Sequence, residues 1–120
     1  MSTAALTAAE DWELDFYSRP ILEADGRKRW ELLITSTPAA TGDAEPFRFA
    51  KVCPSGDVNS LWLSQALAEA KQASASGGWG SPVRLRCWRS SMRTMVQRAA
   101  AAAAAKYRTV YALVRWAGLQ

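Results

Sequence analysis

The 120-residue sequence contains no histidine, and no acidic residue follows Glu69. The absence of histidine excludes the Ser-His-Asp and Cys-His arrangements that activate a nucleophile in many hydrolases. Two cysteines are present, Cys53 and Cys87, so the chain cannot supply the four sulfur or imidazole ligands of a structural zinc site. We therefore expect no enzyme of these classes, and the sequence indicates no cofactor.

The sequence also lacks a hydrophobic run close to the ~20 residues that a membrane-spanning helix needs. The segment MSTAALTAAE has neither the basic region nor the long apolar core of a secretory signal. Nothing favours an oxidising compartment, so buried, reduced thiols are expected rather than a disulfide. We expect a cytoplasmic protein without membrane insertion, in which residues 1–11 are a flexible lead-in and residues 12–120 a single domain.

Acidic and basic residues are unevenly distributed along the chain. Residues 1–69 hold all eleven acids and six bases, a net charge of −5, whereas residues 70–120 hold nine bases and no acid, a net charge of +9. Such asymmetry is typical of a protein that binds a polyanion. The alternative is that acids of the N-terminal half pair with these bases across the fold.

Hydrophobic alternation predicts three strands in the first half of the chain, at residues 11–21, 28–37 and 47–53. The dipeptide Asp25-Gly26 is a strong turn signal and predicts a hairpin between the first two strands. The side chains expected to face the core from this hairpin are Trp12, Leu14, Phe16, Trp30, Leu32 and Ile34.

Helical spacing predicts a helix over residues 55–72, with Asp57 or Asn59 as its N-cap. Its expected apolar face is Leu61, Trp62, Leu63, Ala66, Leu67 and Ala70. A fourth strand is predicted at residues 83–88, in which Leu85 and Cys87 point inward.

A second helix is predicted over residues 92–106, capped by Ser90 or Ser91, because its seven consecutive alanines favour helix. A final strand is predicted within residues 107–118. The predicted fold is therefore α+β, a single domain with a mixed β-sheet and two helices in the order β-β-β-α-β-α-β.

The fourth strand and the start of the second helix carry the candidate binding residues. Arg84 and Arg86 are two apart on the strand and share a face with Trp88, while Arg89 follows at the turn and Arg93 begins the helix. Guanidinium groups pair with phosphates and flat rings stack on unpaired bases, so this pattern favours single-stranded nucleic acid. The alternative is that Trp88 packs in the core beside solvated arginines.

Three acids of the predicted hairpin, Glu13, Asp15 and Glu31, suggest a different hypothesis. Clustered carboxylates can hold a divalent metal, as in a metal-dependent nuclease. The alternative is purely structural: the acids pair with nearby bases of the same half, namely Arg19, Arg29 or Arg48.

Trp79 lies between glycines in the sequence GGWG and has two open interpretations. Its ring could be a mobile contact for a partner or a base, or it could fold over the nearest edge of the sheet.

Five segments, taken in order, resemble the N-terminal half of the Tab-two/Atab-two RNA-binding proteins of cyanobacteria and chloroplasts. They are WELDFYSRPI at 12–21, WELLI at 30–34, CPSGDVNSLWL at 53–63, RLRCWRSSMRTMV at 84–96 and YALVRW at 111–116. The first and third segments are the most specific, and together the five cover nearly all of residues 12–116.

The resemblance implies a non-enzymatic translation factor that regulates photosystem biogenesis by binding A/U-rich mRNA leaders, those for photosystem I especially. It implies a stromal location in chloroplasts and phosphate contacts at Arg84, Arg86, Arg89 and Arg93. It also implies a C-terminal half with a Trp-Leu-Leu-Leu-Asp motif, which these 120 residues do not contain. A second hypothesis is therefore a protein-interaction or dimerisation module, with Trp79 and the second helix as contacts and no direct RNA contact.

Overall fold

The computed structural model describes residues 11–36, 45–79, 82, 84–87, 89–107 and 113–116. These residues form five strands and two α-helices, with a 3-10 turn before each helix. In chain order the elements are β1 (Asp11–Leu22), β2 (Lys28–Ser36), β3 (Arg48–Cys53), α1 (Ser60–Ser76), β4 (Arg84–Cys87), α2 (Arg93–Tyr107) and β5 (Leu113–Trp116). The predicted α+β class and element order are confirmed.

The strands form one mixed sheet in the order β3-β2-β1-β4-β5. Strand β1 is central: it pairs antiparallel with β2 along most of its length and parallel with β4 through residues 11–14. Strand β3 joins β2 antiparallel, and β5 joins β4 parallel. Strands β2 and β3, which follow β1 in the chain, thus lie on one side of it, and the later strands β4 and β5 lie on the other.

The turn between β1 and β2 explains why these strands pair as a hairpin. Gly26 adopts a φ of 83°, a conformation that glycine reaches at little cost, and its N–H donates to the carbonyl of Glu23 at 2.9 Å. The carboxylate of Asp25 accepts the N–H of Arg27 at 2.9 Å. The Asp-Gly turn signal is therefore confirmed by the bonds that the two residues make.

Helices α1 and α2 pack on one face of the sheet and enclose the core. Phe16 of β1 stacks on Trp62 of α1, with ring centroids 5.5 Å apart and planes inclined by 10°. Of the side chains expected to face inward from the hairpin, Trp30 is partly buried and the rest are fully buried, namely Trp12, Leu14, Phe16, Leu32 and Ile34. The alternation in sequence therefore predicted correctly which sheet face is covered.

Asn59, one of the two predicted caps, begins helix α1. Its side-chain Oδ1 accepts the backbone N–H of Trp62 at 2.8 Å, which satisfies a donor that the helix itself cannot. Asp57 instead belongs to the 3-10 turn Ser55–Asp57. The prediction for Leu61 is wrong, because this side chain is 67% exposed. At 100° per residue, Leu61 lies about 200° around the helix from buried Leu63.

Helix α2 begins differently from the prediction. Ser90–Met92 form a 3-10 turn, in which the N–H of Met92 donates to the carbonyl of Arg89 at 3.0 Å, and the α-helix starts at Arg93. The alanine run is helical, as expected, and Ala99, Ala100 and Ala103 are buried. Alanine side chains are small, so they allow α2 to lie close to α1. For the same reason each of them buries little apolar area.

The last two strands are shorter than their predicted segments. Strand β4 covers Arg84–Cys87, with Leu85 and Cys87 buried as expected. Strand β5 covers Leu113–Trp116, whereas Tyr107, placed in this strand by the prediction, ends α2. In the part of the chain that the structure describes, neither helix combines the length and hydrophobicity needed to cross a membrane.

Candidate nucleic-acid interface

The candidate interface lies on the face of the sheet opposite the helices. Because alternate residues of a strand point to opposite faces, the burial of Trp12, Leu14 and Phe16 places the side chains between them on this second face. On β1 these are Asp11, Glu13, Asp15, Tyr17 and Arg19, and on β4 they are Arg84 and Arg86, all of them half-buried. Three carboxylates and three guanidinium groups therefore share two neighbouring strands.

Arg84 and Arg86 share the carboxylate of Asp11. The parallel register aligns Asp11 with Arg84 and Glu13 with Arg86. The Nε of Arg84 donates to Asp11 Oδ1 at 3.0 Å, and Nη1 of Arg86 lies 3.8 Å from Asp11 Oδ2. Arg84 and Arg86 therefore share the negative charge of one carboxylate, that of Asp11.

Arg89 follows β4 and is held by Asp15. Its Nε donates to Asp15 Oδ1 at 2.6 Å and its Nη2 donates to Oδ2 at 3.2 Å, a geometry that fixes the guanidinium plane. The hydrogen bond to Asp15 raises the pKa of the Arg89 guanidinium, which therefore stays charged. The same guanidinium carbon lies 5.3 Å from the centroid of the Tyr17 ring.

Tyr17 connects this end of β4 to strand β2. Its hydroxyl donates to Glu31 Oε1 at 3.1 Å, and the same oxygen accepts Nη1 of Arg19 at 3.2 Å. The bond to Glu31 raises the pKa of Arg19. A chain of ion-pair, cation–π and hydrogen-bond contacts therefore runs from Asp15 through Arg89 and Tyr17 to Glu31, on the sheet face opposite the helices.

We call Arg84, Arg86, Arg89 and Arg93 the arginine row. The first three are each between a third and a half exposed and each has a carboxylate of β1 as its partner. Arg93 is exposed on the first turn of α2. Trp88, the predicted stacking residue, lies outside the residues that the structure describes. The structure therefore brings together three of the five predicted RNA-contact residues along one line of the sheet face.

The pairing of N-terminal acids with C-terminal arginines, one of the two alternatives for the charge asymmetry, is present in the structure. Asp11 and Asp15 are the acids concerned, and each carboxylate is bonded to the Nε of its arginine. A carboxylate bound there leaves the two Nη groups at the far end of Arg84 for another acceptor. Ion pairing at Nε and phosphate binding at Nη are therefore compatible in this geometry.

The three acids suggested as a metal site do not come together. Within residues 11–36, 45–79, 82, 84–87 and 89–107, no three acidic or cysteine side chains are grouped closely enough to hold a metal ion. Glu31 pairs with Arg19, as the structural alternative expects, whereas Asp15 pairs with Arg89, a base of the other half of the chain. Arg29 pairs with Glu23 at 2.7 Å.

Trp79 folds over the end of the sheet, which supports the second of its two interpretations. Its ring lies 5.5 Å from Phe47, centroid to centroid, and its Nε1 donates to the carbonyl of Glu45 at 2.9 Å. About a third of the residue remains exposed. Trp79 therefore packs at the β3 edge, away from the arginine row on β4.

Both cysteines are buried free thiols, as expected. Burial raises the pKa of Cys53 to about 11, with a further contribution from the negative charge of Asp57. Burial likewise raises the pKa of Cys87. Neither thiol is activated as a nucleophile, because the thiolate is the reactive form.

Two residues of this interface were not singled out in the sequence. Asp11 and Tyr17 occupy polar-face positions of a strand whose other face is buried, and that alternation was visible. Their contact with the arginines depends on the parallel pairing of β1 with β4, which no local pattern reveals.

The fold and site define a single α+β domain whose helices cover one face of a mixed sheet and whose other face carries arginines beside an aromatic residue. The family model described as RNA-binding protein Tab2/Atab2 N terminal matches residues 11–118, and the chain belongs to this family. The resemblance of the five sequence segments is thus confirmed.

Two named relatives match the chain. Protein TAB2 homolog, chloroplastic, of Zea mays is 39% identical over 89 residues, which cover 74% of this chain and 20% of that protein. The protein of the same name in Arabidopsis thaliana is 33% identical over 90 residues, 75% of this chain and 22% of that protein. The match spans about a fifth of the length of these relatives. No solved structure matches the chain.

Proposed function

We propose that this chain is the RNA-binding domain of a translation factor and that the arginine row contacts the backbone of single-stranded RNA. The observation that carries the proposal is the alignment of Arg84, Arg86 and Arg89 on the sheet face opposite α1 and α2. The family to which the chain belongs is described as RNA-binding, which supports the same function.

The mechanism is electrostatic capture by guanidinium groups that are already oriented. Asp11 holds Arg84 at Nε, and Asp15 holds Arg89 at Nε and Nη2, so less rotamer entropy is lost when RNA binds at their exposed sides. Each phosphate neutralised releases counterions, so the affinity falls as salt rises. Arg93 extends the row onto the first turn of α2.

The finer features of the proposal follow from the family resemblance. The RNA is an A/U-rich mRNA leader for a photosystem subunit, and the protein acts by binding rather than by catalysis, without a cofactor. The two relatives are named as chloroplastic, so the expected location is the stroma in plants and the cytoplasm in cyanobacteria.

Fluorescence anisotropy with labelled A/U-rich and C-rich single strands, titrated at several salt concentrations, tests this function. We expect tighter binding of the A/U-rich strand and a slope of log affinity against log salt of about −0.7 for each phosphate contacted. Replacing Arg84, Arg86 and Arg89 by alanine should weaken binding at least tenfold and flatten the slope by about 0.7 for each phosphate contact that is lost.

A matched control removes three positive charges elsewhere. Arg27, Lys28 and Arg48 are exposed on the hairpin turn, at the start of β2 and on edge strand β3, and their replacement by alanine should change the affinity far less. Equal losses in the two triple variants would show that only net charge matters. A wild-type chain that binds no RNA at low salt would exclude the proposal.

A second candidate function is a protein-interaction or dimerisation module. It is favoured by exposed apolar side chains near the hairpin turn: Leu22 is 66% exposed and Val52 is 51% exposed. Val52 also lines an open groove of about 460 Å³ with Ala24 and Pro54. Light scattering after size exclusion tests it: a dimer that Val52→Lys dissociates would support the module, and a monomer at high concentration would argue against self-association.

A further inference from the structure

We propose that Arg89 and Tyr17 together form a stacking platform for one unpaired nucleobase. This inference rests on the proposed RNA-binding function and assigns Arg89 a role that differs from the rest of the arginine row. Tyr17 supports the Arg89 guanidinium from the side away from the base.

The first supporting observation is that both members of the platform are fixed in place. Two hydrogen bonds from Arg89 to Asp15, at 2.6 and 3.2 Å, hold the guanidinium plane, and the hydroxyl of Tyr17 is held by Glu31 at 3.1 Å. Because neither side chain must be ordered when a base arrives, the entropic cost of stacking is small.

The second observation is that Arg89 lies on the solvent side of the Tyr17 ring. The guanidinium carbon of Arg89 lies over the Tyr17 ring at 5.3 Å from its centroid, and the Arg89 side chain is 48% exposed whereas Tyr17 is half-buried. A guanidinium is planar and weakly hydrated, so it stacks on rings and on bases. A base placed on its exposed side would extend the stack that Tyr17 begins.

The third observation distinguishes a base from a phosphate as the ligand of Arg89. Asp15 engages both Nε and Nη2, which occupies one whole edge of the guanidinium with a bidentate carboxylate. That carboxylate repels an incoming phosphate, whereas an uncharged base experiences no such repulsion. Arg84, by contrast, is bonded to Asp11 through Nε, and Asp11 is shared between two guanidinium groups.

The neighbouring residues suit this assignment. Arg84 and Arg86 precede the platform on β4, and Arg93 follows it on α2. A strand that crosses here would place phosphates near these arginines and one base over Arg89. Sequence preference at that base would be weak, because every base has a flat face to stack.

A double-mutant cycle between protein and RNA tests the platform. The RNA series is one A/U-rich strand and its derivatives with a single abasic site at each position in turn, and the protein variants are Arg89→Lys and Tyr17→Leu. Arg89→Lys keeps the charge but loses the plane, and Tyr17→Leu keeps apolar bulk but loses the ring. Both should weaken binding of the intact strand about fivefold or more.

The expected result is that this loss disappears when the abasic site occupies one particular position, because the base that stacks is then missing. Tyr17→Phe keeps the ring and loses only its bond to Glu31, so it should lose less affinity than Tyr17→Leu. Arg48→Lys is the matched control: it makes the same exchange of guanidinium for ammonium on edge strand β3 and should change the affinity little. Melting temperatures of all variants report whether the domain remains folded. If Tyr17→Leu does not fold, Arg89→Lys still tests the platform, because it keeps a cation beside Asp15.

Two results would overturn the inference, and they differ from each other. If the wild-type chain binds RNA but the Arg89→Lys and abasic effects add at every position, Arg89 does not stack on a base while the RNA-binding function stands. If the wild-type chain binds none of the strands, the function and the platform fail together.

Discussion

Asp15 and Arg89 lie 74 residues apart in sequence and are joined by two hydrogen bonds, of 2.6 and 3.2 Å. This pair connects the acidic half of the chain to its basic half on one sheet face. The field that an approaching RNA meets is therefore smaller than the net charge of +9 on residues 70–120 suggests. In the proposed interface, phosphates bind beside carboxylates, and the strength of binding depends on that competition.

Replacing Asp11 by asparagine should strengthen RNA binding. The amide oxygen can still accept Nε of Arg84, but the negative charge shared by Arg84 and Arg86 is lost. We expect the affinity at low salt to rise about two- to fivefold, and the gain to shrink at high salt because the effect is electrostatic. Anisotropy titrations over a salt series measure both quantities.

Asp57→Asn is the control for this variant, since it removes the same charge from the 3-10 turn that precedes α1. Its effect on RNA affinity should be smaller than that of Asp11→Asn. A decrease in affinity for Asp11→Asn would mean that the carboxylate is needed to orient the arginines more than it competes with phosphate.

Replacing Asn59 by alanine should lower the free energy of unfolding by about 1 kcal/mol, because the N–H of Trp62 loses its side-chain acceptor. Urea denaturation followed by tryptophan fluorescence measures the change. Asn59→Ser keeps an acceptor and should cost less than half as much. If alanine and serine were equally destabilising, the capping bond would not account for the loss.

Replacing Gly77 by alanine should destabilise the domain, although its φ of −89° is open to any residue. An added Cβ would overlap the ring of Trp79 and force it off Phe47. We expect a loss of about 1–2 kcal/mol, typical of overpacking. Urea denaturation measures it.

Gly56→Ala provides the comparison for Gly77, because its Cβ would meet only Nη1 of Arg27, at an ordinary 3.9 Å. This variant should stay within about 0.5 kcal/mol of wild type. A neutral Gly77→Ala would show that the Trp79 ring moves away at no cost.

The stability of the domain should fall in alkaline solution partly because of Cys53. Its folded pKa is about 11, whereas an unfolded thiol has a pKa of about 8.5, so the unfolded chain loses this proton first. The stabilisation by the neutral thiol is complete below the unfolded pKa and is lost as pH rises to the folded one. Urea denaturation at several pH values between about 8 and 11 follows the loss.

Cys53→Ala isolates the contribution of this thiol. The variant should be less stable than wild type at neutral pH, because a buried side chain is truncated, but its stability should decline less steeply with pH. Parallel curves for the two proteins would assign the alkaline decline to other groups.

Much of the fold could be predicted because local patterns determine it. The alternation around Trp12, Leu14 and Phe16 identified the buried face of β1, and the Asp-Gly turn identified the hairpin. The exposure of Leu61 was missed, because this apolar residue was assigned to the buried face although helical spacing places it about 200° around the helix from Leu63. The hydrophobicity of a residue alone does not show whether its side chain lies on the side of the helix that faces the sheet.

The site was only partly predictable. Charge asymmetry and spacing placed Arg84, Arg86 and Arg89 together, but their partners Asp11 and Asp15 depend on a parallel register between distant strands. The packing of Trp79 likewise depends on a carbonyl 34 residues away. Contacts of this kind follow from tertiary structure, and a single sequence carries no local signal for them.

The central position of β1 determines the order in which the strands can pair while the chain is being synthesised. The ribosome synthesises β1, β2 and β3 before β4. Asp11 and Asp15 therefore cannot pair with Arg84 and Arg89 until nearly three quarters of the 120 residues have been made. Pairings so distant in sequence close late, because loop-closure entropy opposes them. The nascent chain is therefore acidic at first, and the proposed RNA interface forms only after β4 pairs with β1.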